Sequence, residues 1–101
     1  MKLRFTRRSR RHLDAIAEYI ADRNPDAARR VGGRIREVIA LVGEFPLIGH
    51  QGALAGTREM GVPGLPYVIV YRIDEDAVKV LGVYHGAQLR PGQERPRGSS
   101  R

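Results

Sequence analysis

Apolar residues recur along this chain with two different periods, and the periods divide it. Leu3 and Phe5 alternate with Lys2 and Arg4, which predicts a short strand over Lys2–Phe5. Thr6 follows as an N-cap, and Leu13, Ile16, Ala17 and Ile20 then fall at three- and four-residue steps, the apolar stripe of an amphipathic helix running to about Asp22. Asn24-Pro25-Asp26 starts a second helix. Asn24 caps it, Pro25 suits the first helical position because its missing N–H would have no partner there, and Asp26 complements the helix dipole. Ala28, Val31, Ile35, Val38, Ile39 and Val42 give this helix its buried face, and it ends near Gly43 to Pro46. Helices joined this tightly predict an antiparallel hairpin.

Residues 46–56 read as a loop, and beyond it the period changes to that of strands. Thr57–Val62 is the first of these, closed by Pro63-Gly64. Tyr67–Ile73 is rich in β-branched and aromatic residues with no breaker inside it. Asp74-Glu75-Asp76 turns the chain, and Ala77–Tyr84 completes a hairpin. The order β-α-α-β-β-β predicts an α+β fold, an antiparallel sheet with a two-helix hairpin packed on one face. The first strand must pair with one of the later ones to satisfy its backbone. Residues 1–88 read as one domain. From Gly86 the chain becomes rich in Gly, Pro and Arg, and residues 89–101 read as a basic tail that is extended or mobile.

Charge changes this picture more than composition does. The 101 residues carry a net charge of +7, but residues 1–12 hold +6 and residues 90–101 hold +3, leaving −2 for everything between. Basic ends of this kind favour a polyanion or an acidic protein segment as partner. Arg7, Arg8, Arg10 and Arg11 also crowd the first turns of a predicted helix, where the dipole prefers acids. With no cysteine and three scattered histidines, the chain has no disulfide framework and no recognisable metal site, and no cofactor motif is present. No signal-like apolar run follows the basic start and no stretch nears the roughly 18 apolar residues of a membrane span, so a cytoplasmic protein is expected.

Six short segments, in order, carry a resemblance. They are Leu13-Asp14-x-Ile16-x-x-Tyr19-Ile20, Asn24-Pro25-x-Ala27-Ala28, Phe45-Pro46-x-x-Gly49, Gly56-Thr57-Arg58-Glu59, Pro66-Tyr67-Val68-Ile69-Val70-Tyr71-Arg72 and Val83-Tyr84-His85-Gly86. Together they resemble the RelE/ParE toxin superfamily over about Leu3 to Gln88. The resemblance implies the toxin of a type II toxin–antitoxin (plasmid-stabilisation) module, which arrests growth until a cognate antitoxin wraps it with a segment that folds on binding. The groove between the helical hairpin and the sheet is the expected place for that segment.

Within the superfamily, RelE-like members cleave mRNA on the ribosome and ParE-like members act on DNA gyrase. The RelE pattern is poorly met. Gly86 or Ala87 stands where it has an arginine, and the loop before Thr57 lacks its lysines. Another ribosome-dependent branch uses a glutamate, an arginine, a histidine and a tyrosine, of which Arg58 and His85 match two. The ParE pattern fits better, through Arg58, Tyr71-Arg72 and His85, although Gly86-Ala87 interrupts the Gln that usually follows the histidine. Gyrase inhibition is therefore the favoured reading. A ribosome-dependent, metal-independent mRNA endonuclease (an mRNA interferase) is the alternative, and a non-toxic basic nucleic-acid-binding protein is the third.

Arg58 and His85 are the candidates for catalysis. A guanidinium at Arg58 could clamp a phosphate, and an accessible imidazole at His85 could protonate a leaving oxygen. Against these stand an ion pair of Arg58 with Glu59 or a helix acid, and a structural histidine joining the last strand to a loop. Arg7, Arg8, Arg10, Arg11, Arg58, Arg72 and Arg90 are the candidates for contact with nucleic acid or another target. His12 and His50 read as surface residues.

Overall fold

The computed structural model of the chain describes residues 1–93, so the part of the expected tail at 94–101 lies outside the described residues. In chain order the elements are β1 (Lys2–Phe5), α1 (Arg7–Ala21), α2 (Pro25–Glu44), β2 (His50–Gln51), β3 (Arg58–Gly61), β4 (Tyr67–Ile73) and β5 (Ala77–His85). Both helix starts use the expected caps. Thr6 Oγ1 accepts the Ser9 N–H at 3.0 Å and Asn24 Oδ1 accepts the Ala27 N–H at 3.1 Å, each satisfying one free amide of a first turn.

The fold is α+β, as the two periods predict, with an open five-stranded sheet in the order β1-β5-β4-β3-β2. Two features differ from the expected layout. His50–Gln51, inside the predicted loop, forms a short edge strand against β3. And the sheet is not wholly antiparallel, because β1 pairs parallel with β5, Lys2 opposite Ala77 and Phe5 opposite Val80. The cause of the second lies at Thr6. A single residue separates β1 from α1; its backbone N–H donates to the Val80 carbonyl at 3.1 Å, and its one hydroxyl proton is shared between the carbonyls of Val80 and Leu81. The chain therefore keeps its heading. α1 continues along β5, where His12 reaches Val83 and Tyr19 shares a cavity with His85. α2 brings the chain back, with Gly43 against Leu3 and the Met1 ammonium on the Gly43 carbonyl at 2.9 Å. The β3–β4–β5 meander then leaves β5 running alongside β1 in the same direction.

The core lies between α2 and the sheet. Ile35, Val38, Ile39 and Val42 meet Val62, Ile69, Tyr71, Val78, Val80 and Val83, with Leu13 and Ile16 of α1 packed at its margin. Met60 belongs to this side, so its neighbour Glu59 faces the other, and Glu59 is paired across the sheet with Val70, itself opposite Gly82. All three are buried. The Tyr84 side chain lies over Gly82, and residues 86–93 cover Glu59: the chain returns from β5 toward β3 and β2, with Arg90 on Glu59 and Gly92 against Ala53 and Leu54. Gly92 has φ +85° and no space for a Cβ, so glycine is required at this crossing. The first part of the expected tail is thus tied to the sheet by side-chain and backbone contacts. No helix among the described residues is long and apolar enough to cross a membrane.

Candidate functional site

Arg58 sits at the start of β3 opposite Tyr71. Its Nη2 donates to the carbonyl oxygens of Gly49 at 2.6 Å and Leu47 at 3.2 Å, while Nε is buried with no partner among the described residues. Tyr71, fully buried, accepts the Gly49 N–H on its hydroxyl at 3.0 Å and donates to the Pro46 carbonyl at 2.6 Å. The two side chains together bind the backbone of the turn between α2 and β2. Gly49 is required there, because a Cβ would stand 2.6 Å from Tyr71 Oη and 2.7 Å from the Glu59 carbonyl. The partners of Arg58 are thus carbonyls, and the ion pair with Glu59 or a helix acid is not formed.

Glu59 pairs instead with Arg90, whose Nε donates to Oε1 at 3.0 Å, and His50 Nε2 lies 3.7 Å from the same oxygen. Arg90, a candidate for target contact, has its charge matched inside the molecule. Arg72 donates from Nε to Asp74 at 3.0 Å on a surface where both side chains stay nearly half exposed, a pair worth little to stability.

His85 ends β5 opposite Tyr67 and closes a turn. Its Nδ1 accepts the Ala87 N–H at 3.1 Å, and its own N–H donates to Gln88 Oε1 at 2.6 Å. Nδ1 being an acceptor, the proton of the neutral ring is on Nε2. The two candidates for catalysis are not brought together. Four residues of strand, Tyr67 to Tyr71, and two strand spacings separate His85 from Arg58, placing their Cα atoms about 16 Å apart.

The arginines of α1 divide. Arg7, Arg8 and Arg11 line one cavity of about 390 Å³ with Leu54, Leu81 and Pro91, and none has an acidic partner among the described residues. Arg10 turns away and lies 5.4 Å over the Phe5 ring. It borders a groove of about 440 Å³ between β1 and the helices, floored by Leu3, Phe5, Leu13 and Ile39. A second groove, about 580 Å³, runs between α1 and the ends of β4 and β5, lined by Ile16, Tyr19, Tyr67 and His85. Both are apolar clefts beside the helical hairpin. Among the described residues no three His, Asp or Glu side chains converge as a metal site.

His12 was not expected to matter, yet it joins α1 to β5. Its Nδ1 accepts the Val83 N–H at 3.1 Å, and its ring meets Tyr84 edge-on at 4.9 Å. The available signal was a second helical stripe, His12, Ile16 and Tyr19, beside the stripe through Leu13. Burial, and then the nearby charges of Arg8 and Arg11, hold the His12 pKa below the ordinary 6.5. The unfolded chain therefore takes up this proton first as pH falls. The stability His12 contributes is complete above 6.5 and declines as pH drops toward the lowered folded value. His12→Asn keeps an acceptor for Val83 but cannot titrate. Its Tm should lose the part of the wild type's decline below pH 6.5 that this histidine causes; identical profiles for the two proteins would rule out this role.

Known proteins resemble this chain in sequence and in fold. The family described as the ParE toxin of type II toxin–antitoxin systems, parDE, matches residues 3–90. Y4kP of Sinorhizobium fredii is 41% identical over 90 residues, covering 89% of this chain and 93% of that protein. Toxin RelE2 of Caulobacter vibrioides is 34% identical, covering 84% and 94%. A chain of the chromosomal ParDE system from P. aeruginosa has the same fold, with TM-score 0.77 at 20% identity over 84% of this chain and 95% of its own. The family match runs from the first strand into the returning segment, two relatives more than 30% identical span most of the chain, and the chain belongs to the ParE toxin family of type II toxin–antitoxin systems.

Proposed function

We propose that this toxin arrests growth by binding DNA gyrase and blocking it without catalysing a bond cleavage of its own. The observation that carries this reading is the distance between Arg58 and His85, together with what each is bonded to. Cleavage of RNA needs an acid, a base and a phosphate clamp around one scissile bond. Here the guanidinium of Arg58 is taken up by the carbonyls of Leu47 and Gly49, and His85 lies about 16 Å away at the other end of the sheet. A protein that acts by binding has no need of either as a reactive group. Gyrase and the cognate antitoxin are then its two partners, and no cofactor is required.

Ribosome-dependent mRNA cleavage is the second reading, and one observation favours it: His85 is exposed and its Nε2 is not used by the turn. Pulse-labelling of DNA and protein synthesis after induction separates the two, with His85→Ala beside the wild type. DNA synthesis is expected to stop first in both strains, with filamentous cells. Protein synthesis stopping first, together with a harmless His85→Ala, would overturn the gyrase reading. A well-expressed wild type that arrests nothing would leave only salt-sensitive nucleic-acid binding.

A further inference from the structure

Leu41, Phe45, Leu47 and Ile48 are 36%, 55%, 72% and 43% exposed, four large apolar side chains at and just beyond the end of α2. Apolar residues scattered over a surface need no explanation, but a cluster on a fixed backbone does. A slack loop would fold such side chains against the body of the protein. This one is prevented from doing so, because the carbonyls of Pro46, Leu47 and Gly49 and the Gly49 N–H are all held by Tyr71 and Arg58. A further bond from the Ile48 N–H to the Phe45 carbonyl at 3.0 Å closes the turn. A core tyrosine and a half-buried arginine are thus used to keep apolar side chains facing water.

We infer that Leu41, Phe45, Leu47 and Ile48 form a preorganised anchor that inserts into an apolar pocket on the toxin's protein target. The inference rests on the reading of that target as a protein, gyrase. Charge argues against nucleic acid at this place. From Val38 to Thr57 the one charged residue is Glu44, an acid, and the Arg58 guanidinium beside the turn is already bonded to the carbonyls of Leu47 and Gly49, so a phosphate backbone finds little counter-charge here. Area argues against a second copy of the chain. A second copy packed patch to patch would bury only a few hundred Å² from each side, short of the about 800 Å² that a stable interface takes, whereas a larger partner can enclose the anchor together with the surface around it. None of the four lines either apolar groove beside the helical hairpin. What remains is the pattern of a binding hot spot: a few large apolar side chains, fixed before binding, so that little conformational freedom is lost when they enter a pocket.

Leu47→Ser is the first test, because that side chain is the most exposed of the four and its replacement leaves the backbone bonds in place. Phe45→Ser/Leu47→Ser is the second. Each full-length variant is expected to melt within a few degrees of the wild type and to co-purify with the antitoxin. Each is expected to lose growth arrest on induction and to inhibit supercoiling by purified gyrase about tenfold less well or worse. Undiminished arrest by the double variant overturns the anchor. So does loss of antitoxin capture with arrest intact, which assigns the turn to neutralisation. If the wild type leaves gyrase untouched while Leu47→Ser still abolishes arrest, the gyrase reading fails and the anchor stands on another protein.

Discussion

Arg90→Ala is expected to lower the stability of this protein by roughly 3–5 kcal/mol, the usual result of leaving one partner of a buried ion pair behind. Glu59 lies under the returning segment with 4% of its surface exposed, and Arg90 Nε supplies its close charged hydrogen bond at 3.0 Å. His50, at 3.7 Å and itself exposed, is too far for a good replacement. Because a small domain has about 5–15 kcal/mol in all, the loss is a large share of the total, and Tm should fall by more than about 10 °C. The segment after His85 should also detach, since Arg90 is its charged link to the sheet. Glu59→Leu/Arg90→Met is the informative partner experiment. Removing both charges together while keeping apolar volume is often neutral, so the double variant should recover most of what Arg90→Ala loses. An Arg90→Ala melt within about 2 °C of the wild type would mean that Glu59 is solvated and the segment makes no contribution.

The strengths and gaps of the sequence reading follow from the range over which each feature is determined. The caps at Thr6 and Asn24, Pro25 at the start of α2, and the unbroken run Tyr67–Ile73 are set by neighbours within a few residues, and these elements lie where their patterns put them. β2 escaped notice because two residues in a glycine-rich loop have no period at all. The parallel pairing of β1 with β5 joins residues about 75 apart, and its one local sign is that Thr6 alone separates β1 from α1. The site shows the same division. Arg58 and Tyr71 could be singled out by residue type, but their partners are backbone carbonyls of the Pro46–Gly49 turn, which no side-chain pattern reveals. Arg90 reads as tail charge until the chain is seen to fold back onto Glu59, 31 residues away in sequence. The run of N-terminal arginines reads as one patch, yet the helix directs Arg7, Arg8 and Arg11 to one cavity and Arg10 to Phe5.

Tyr71→Ala is expected to be the most damaging single change in the core, and Tyr71→Phe the most informative. The ring is fully buried at the centre of the sheet, and its loss with the cavity it leaves should remove about 3–5 kcal/mol, enough to leave much of the population unfolded. Phenylalanine keeps the ring and removes only the hydroxyl, which serves the Gly49 N–H at 3.0 Å and the Pro46 carbonyl at 2.6 Å. Two backbone groups then lose their partner, for a loss of about 1–3 kcal/mol that the fold survives. The consequence falls on the turn. With Arg58 holding only the carbonyls of Leu47 and Gly49, the backbone at Pro46 is free to shift, and Phe45 and Leu47 can settle against the surface. Hydrogen exchange at the Gly49 amide should accelerate far more than at Ile69 or Val80 in the neighbouring strands, and growth arrest should weaken although the protein remains folded. Gly49 protection equal to the wild type would show that the hydroxyl does not hold the turn. Faster exchange with full toxicity would instead separate the clamp from the function and leave Tyr71 as a core residue alone.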